Sequence, residues 1–253
     1  MDEIALHASF EPGSAGDVAF HPDEVHVWAV SLHGDSGAFA ALLSPQERER
    51  AGRFRFADHQ RRFQIGHGAL RAILGGYLGV DPAAVDFTRG PRGKPYLAGK
   101  SLTGKSLTGN GPFFNLSHSG KLALIAVADR EIGIDLEKVR HLESLTAIAR
   151  RHFSTFEFEA LDALGDPARQ LAFYRCWTRK EAYIKALGVG LSMPLDTFDV
   201  SLGERPEFLA CRDGNEEPAN WSLLDVSPGP EFVAAAALRA RGRRLRCLRL
   251  TMG

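Results

Sequence analysis

Two short stretches carry the residues best suited to chemistry. In Gly133-Ile134-Asp135-Leu136-Glu137, apolar and acidic side chains alternate. That is the period of a strand, whose side chains point to opposite faces in turn. Asp135 and Glu137 are expected on one face, with Ile134 and Leu136 toward a core. Trp177-Thr178-Arg179-Lys180-Glu181-Ala182-Tyr183-Ile184-Lys185 reads as helix. Residues four apart on a helix share a face, as Glu181 and Lys185 would. A fold that joined the two stretches would gather three carboxylates and an ammonium. Three hard oxygen donors suit Mg²⁺, which keeps several waters and is also held by phosphate oxygens. Mn²⁺ accepts the same donors. Taken singly, each stretch has an ordinary reading. A D-x-E strand is commonly two solvated carboxylates. Glu181 and Lys185 could be a surface i,i+4 ion pair contributing about 0.3–0.5 kcal/mol.

The elements that must position these residues follow from periodicity and end signals. Ser44-Pro45-Gln46-Glu47 and Ser154-Thr155-Phe156-Glu157 have the capping-box pattern that opens a helix. Asp58 is expected to cap a longer helix to about Leu78, with Phe63, Leu70, Ile73, Leu74 and Tyr77 at helical spacing. Gly66 and Gly68 weaken that helix and suggest close approach of another backbone or a ligand. Asp166-Pro167 opens a helix running through Trp177 to Leu187, which Gly188 and Gly190 end. Strands are expected at 25–32, 85–88, 122–128, 133–137, 197–201, 207–211, 221–226, 232–238 and 245–250. Phe113 to Gly120 is expected to lead from an apolar pair into a polar turn. Strands and helices in runs, without regular alternation, indicate an α+β fold.

Composition bounds the class. The chain has 253 residues, with 44% hydrophobic and 25% charged side chains, ordinary for a globular protein with a sizeable core. Formal net charge is zero, which argues against nucleic acid as a partner. Arginine is concentrated locally, at positions 48–62 and 239–249. Cys176, Cys211 and Cys247 show no metal or disulfide spacing, and reduced thiols in the cytoplasm are the simplest expectation. The first residues, Met-Asp-Glu-Ile, lack a basic-then-apolar pattern and are not expected to be a signal peptide, and no apolar run approaches the ~20 residues of a membrane span. Gly99-Lys100-Ser101-Leu102-Thr103 is repeated as Gly104-Lys105-Ser106-Leu107-Thr108. Neither copy has the earlier glycine of a P-loop, and the repeat reads as a surface loop.

Ile132-Gly133-Ile134-Asp135-Leu136-Glu137, followed some forty residues later by Trp177-Thr178-Arg179-Lys180-Glu181-Ala182-x-x-Lys185, resembles the Sfp-type 4′-phosphopantetheinyl transferases. Asn115-Leu116-Ser117-His118-Ser119 and Gly93-Lys94-Pro95 match two further motifs of that family. The resemblance covers roughly 44–200. It implies two similar α+β halves related by a pseudo-twofold axis, with coenzyme A between them. The joint is placed near Arg130, giving a nucleotide-contacting half, 1–130, and a metal and catalytic half, 131–253.

The implied reaction moves 4′-phosphopantetheine from coenzyme A to a serine of an apo acyl or peptidyl carrier protein, releasing 3′,5′-ADP. Asp135, Glu137 and Glu181 are the implied metal ligands. Glu181 would also serve as base, directly or through metal-bound water, and Lys185 would act on the departing phosphate. Arg50, Arg62, Lys94, Ser117, His118 and Lys180 are implied coenzyme contacts. Lys180 falls on another side of the helix and could as well be a solvated lysine. Glu47 stands where some relatives carry a basic residue. A monomer is expected, with typically acidic carriers as partners. The rival readings are a non-catalytic binding relative, against which the intact acidic and lysine positions argue, and a pyrophosphate hydrolase, for which no motif exists.

Overall fold

The computed structural model describes residues 9–98, 112–212, 214 and 216–251; the Gly99–Thr108 repeat lies outside them. The chain forms two compact units, each described by itself. One comprises Phe10–Asp129 together with the last strand, and the other comprises Arg130–Arg243.

The first unit contains β1 (Glu11–Gly13), β2 (Glu24–Ser31), α1 (Gly37–Ala41), α2 (Pro45–Gly52), α3 (Ala57–Leu78), β3 (Phe87–Arg89), β4 (Pro95–Leu97), β5 (Phe113–Ser119) and β6 (Leu122–Ala128). Ser44 and Glu47 exchange the expected capping-box hydrogen bonds at the start of α2. Asp58 is not the cap of α3. The N-cap is Phe56, without a side-chain bond, and Asp58 lies inside the first turn, paired with Arg61 and Arg62. Gly68 permits a close approach, as expected: a Cβ there would lie 2.4 Å from the Phe39 carbonyl of α1. Trp28, Ile65, Ile73, Leu74 and Ile125 form the centre of this unit's core.

The second unit contains β7 (Ile132–Lys138), α4 (Leu145–His152), α5 (Thr155–Asp162), α6 (Ala168–Leu187), β8 (Phe198–Val200), β9 (Phe208–Cys211), β10 (Ser222–Asp225) and β11 (Phe232–Leu238). The sheet order is β10-β11-β7, antiparallel throughout. The Ser154 and Glu157 capping box forms at α5 as expected, and Gly188 ends α6 in the left-handed region at φ 67°. Tyr183 of α6 packs with Phe198, Phe208 and Trp221.

The final strand, β12 (Arg244–Leu250), corrects the division at a single joint. The break at Asp129/Arg130 lies beside the expected one. Yet β12 returns to the first unit, where the sheet order is β1-β12-β2-β6-β5. It pairs in parallel with β1 and β2 and buries Cys247 and Leu248. A half ending at residue 130 would leave one side of β2 without a partner strand, and its backbone groups must be paired when buried. Among the described residues no helix is long and apolar enough to cross a membrane.

Candidate active site

The site is built where α6 crosses β7. Ile134 and Leu136 enter the core at 0% and 1% exposure, so by alternation Gly133, Asp135 and Glu137 share the opposite face. That face is covered too, because α6 lies on it. A Cβ on Gly133 would be 2.0 Å from the Ala182 carbonyl oxygen and 2.3 Å from the Ala186 nitrogen. Glycine inside a strand commonly marks such close backbone approach. On β11, Ala235 and Ala237 stand beside Asp135 and Gly133. The small side chains of both strands thus set how closely α6 lies on the sheet.

This packing brings the α6 residues to the strand. Lys185 Nζ donates to Asp135 Oδ1 at 2.6 Å, with Asp135 buried and Lys185 partly exposed. The strand aspartate is therefore a direct partner of the lysine. Burial raises the pKa of Glu181, and the charges of Asp135 and Glu137 raise it further, while Lys185 opposes them. Asp135 and Glu137 are thus near enough for their charges to act on Glu181. Among the described residues, no group of three or more His, Cys, Asp or Glu side chains is arranged to hold a metal ion as it stands. The donor set nonetheless fits a hard divalent cation. It is all oxygen, it is partly desolvated, and its excess negative charge disfavours the ionised form of Glu181.

Lys180 corrects its reading as a solvated or phosphate-binding lysine. It is 0% exposed. Its Nζ donates to the Leu195 and Phe198 carbonyls, each at 2.6 Å, and stands 2.7 Å from Glu157 Oε2. All three ammonium donors are engaged inside the unit. Arg179 is likewise buried, donating to the Ser201 and Glu204 carbonyls.

The expected coenzyme contacts of the first unit divide. Arg50 lines a cleft of about 520 Å³ with Glu47, His67, Arg71, Arg89 and Asn115, and its guanidinium lies 5.1 Å from the Phe63 ring centroid. Arg62 is paired with Asp58 and is not among the residues lining that cleft. Lys94 Nζ lies 5.6 Å from the Tyr96 ring centroid. Ser117 and His118 are in β5, not in a turn, which comes after Ser119. Adjacent strand positions face opposite ways, so Ser117 is buried while His118 is exposed.

Glu47 has a built environment in that cleft. Its Oε2 accepts from Arg71 Nε at 2.5 Å, and its Oε1 lies 3.2 Å from His67 Nδ1. Burial would raise its pKa, but the His67, Ser44 and Arg71 hydrogen bonds outweigh that and hold it down at about 2. A depressed carboxylate contributes stability above its unfolded pKa, and the contribution is lost as pH falls through the folded value. Glu47→Gln retains the capping pattern and removes the charge. The difference in urea midpoint from wild type is expected to be full above pH ~5 and to close between pH 4.5 and about 2. A difference independent of pH would sink the assignment.

Sequence reasoning placed Gly133 in the acidic strand and Glu157 in a helix cap without giving either a role at the site, and it did not single out His67 or Arg71. A lone glycine in an apolar strand was a usable signal for the first. For the others, no local pattern names the partner.

The fold and this geometry define a class first. This is a two-part α+β protein whose second part collects carboxylates and an ammonium, equipment suited to phosphate chemistry. A profile described as "4′-phosphopantetheinyl transferase superfamily" matches residues 131–237, and one described as "4′-phosphopantetheinyl transferase, N-terminal" matches 28–130. The chain is 44% identical over 225 residues to 4′-phosphopantetheinyl transferase HetI of Nostoc sp., covering 87% of this chain and 90% of the relative. It is 30% identical over 199 residues to 4′-phosphopantetheinyl transferase Sfp of Bacillus subtilis, covering 79% and 84%. It is 31% identical over 212 residues to the human L-aminoadipate-semialdehyde dehydrogenase-phosphopantetheinyl transferase, covering 78% and 67%. The chain belongs to the 4′-phosphopantetheinyl transferase family.

Proposed function

We propose that this enzyme transfers 4′-phosphopantetheine from coenzyme A to a serine of an apo acyl or peptidyl carrier protein, with Mg²⁺, releasing 3′,5′-ADP. The observation that carries this reading is the placement of Glu181 and Lys185 against Asp135 by α6. The serine oxygen attacks the β-phosphorus of coenzyme A. The bond from that phosphorus to the bridging oxygen breaks, and 3′,5′-ADP leaves. Glu181 accepts the serine proton as general base. Lys185 supplies positive charge to the departing phosphate. Asp135, Glu137 and Glu181 would hold Mg²⁺, which when bound neutralises charge on the pyrophosphate. Lys185 must then share or release the Asp135 oxygen it now occupies.

Arg50, Ser117, His118, Lys94 and Arg62 remain the proposed coenzyme contacts of the first unit, with Arg50 the best supported by its place in the cleft. We also propose a cytoplasmic monomer. The test is mass spectrometry of a panel of apo carrier proteins incubated with the enzyme, coenzyme A and Mg²⁺. A gain of the pantetheinyl mass on one carrier serine is expected. Coenzyme A binding with no transfer to any carrier would favour the non-catalytic reading.

Carrier recognition is expected to be partly electrostatic. The last turn of α4 carries Arg150, Arg151 and His152, and further arginines are exposed at 239, 241 and 244. Exposed charges are screened beyond ~8 Å at physiological ionic strength. Raising salt should therefore increase KM for an acidic carrier more than KM for coenzyme A. Equal responses would count against this.

A further inference from the structure

We infer that the buried Glu157–Lys180 pair is a positioning device for Glu181 and Lys185, acting through the rotation of α6. The inference rests on the function proposed above. Lys180 and Glu157 are both fully buried and 2.7 Å apart. Each also binds backbone of the segment that follows α6. Lys180 donates to the Leu195 and Phe198 carbonyls, and Glu157 Oε1 accepts from the Val200 nitrogen at 2.8 Å. Glu157 Oε2 in turn accepts from the Ser154 nitrogen at 3.0 Å, which ties in the start of α5. Lys180 Nζ lies 4.2 Å from the centroid of the Phe198 ring.

Lys180 is the residue immediately before Glu181. Neighbouring helix positions are about 100° apart. Pinning Lys180 against 195–200 therefore fixes the direction in which Glu181 faces, and one turn later that of Lys185. Gly133 sets the depth of α6 on β7 but not its rotation. The pair, together with buried Arg179 and the Lys185–Asp135 bond, supplies that constraint.

The first unit contains the same device. The capping-box Glu47 binds Arg71 of the following long helix, and Arg71 donates to the Pro82, Ala83 and Val85 carbonyls. Arg71 lies 5.2 Å from the ring centroid of Phe87, the first residue of the next strand, as Lys180 lies near Phe198, the first residue of β8. The recurrence identifies the device as a clamp between a long helix and its return segment. Only in the second unit does the clamped residue adjoin acid-bearing α6 positions.

The test separates positioning from simple stability. Lys180→Met leaves Glu157 charged and buried without its partner, a strongly destabilising change. The double variant E157Q/K180M leaves no unpaired charge, and its melting temperature should recover most of that loss. Its single-turnover transfer rate should nevertheless stay at least about 10-fold below wild type, the scale for a small misplacement of reacting groups. Coenzyme A affinity by calorimetry should stay within about twofold. E157D keeps the pair but shortens its reach, and should slow transfer severalfold while remaining folded. All variants are compared at a temperature where circular dichroism shows them folded. Wild-type transfer by folded E157Q/K180M, or by E157D, would overturn the inference. Absence of transfer by the wild-type enzyme itself would instead sink the proposed function, so the two failures are distinct.

Discussion

Gly133→Ala is expected to lower transfer by about 100-fold or more while leaving the chain folded. The added methyl would lie 2.0 Å from the Ala182 carbonyl oxygen and 2.3 Å from the Ala186 nitrogen. Both are backbone atoms of α6, so no side chain can swing aside, and the helix itself must move away from β7. Lys185 is bonded to Asp135 at 2.6 Å across that same interface, and Glu181 is near enough for Asp135 and Glu137 to raise its pKa. A displacement of about 1 Å at such a site costs on the order of 100-fold in rate. Overpacking should also cost about 1–3 kcal/mol of stability. Local propensity argues the other way, because glycine weakens a strand interior. Single-turnover transfer with a melting curve decides between them. A variant at least as stable as wild type and equally fast would show that the close approach does not govern the site.

Lys185→Ala is expected to slow transfer by about 10²–10³-fold, the scale of removing one electrostatic group that acts in the transition state. Coenzyme A binding should change little, since interactions specific to the transition state alter kcat more than binding. The observed contact with Asp135 Oδ1 adds a second expectation. In the free enzyme the lysine ammonium competes with any cation for that oxygen. Lys185→Ala should therefore bind Mg²⁺ more tightly than wild type while transferring more slowly, and added Mg²⁺ should not rescue it. Asp135→Asn should do the reverse, losing metal affinity and regaining part of its transfer at high Mg²⁺. A surface ion pair would contribute only about 0–1 kcal/mol and no chemistry. Calorimetry for Mg²⁺ and coenzyme A alongside single-turnover transfer measures each quantity. Near-normal transfer by Lys185→Ala would remove α6 from the active site.

Much of the local structure was legible from the chain alone. Alternation placed Ile134 and Leu136 in the core and grouped Asp135 with Glu137. Ser44-x-x-Glu47 and Ser154-x-x-Glu157 announced two helix starts, and both boxes form. Glycine at 188 marked the end of α6. These features are decided by residues within one turn or one strand of each other, so a short stretch of sequence contains their causes. The order of the acidic strand and the lysine-bearing helix also pointed to the family.

What the tertiary structure decided is which partner each polar group takes. Lys180, Glu181 and Lys185 share one helix, and local reasoning cannot rank them by burial. Packing of 195–200 over α6 seals Lys180 with Glu157, while β7 receives Lys185. Arg62 found its carboxylate one turn away at Asp58, whereas Arg71 found Glu47 across 24 positions. The same holds for β12, whose strand character was readable but whose return to β2 was not. Helical and strand periods are set by short-range backbone sterics. The choice among distant partners depends on which surfaces must be buried together, and that is settled only when the whole unit closes.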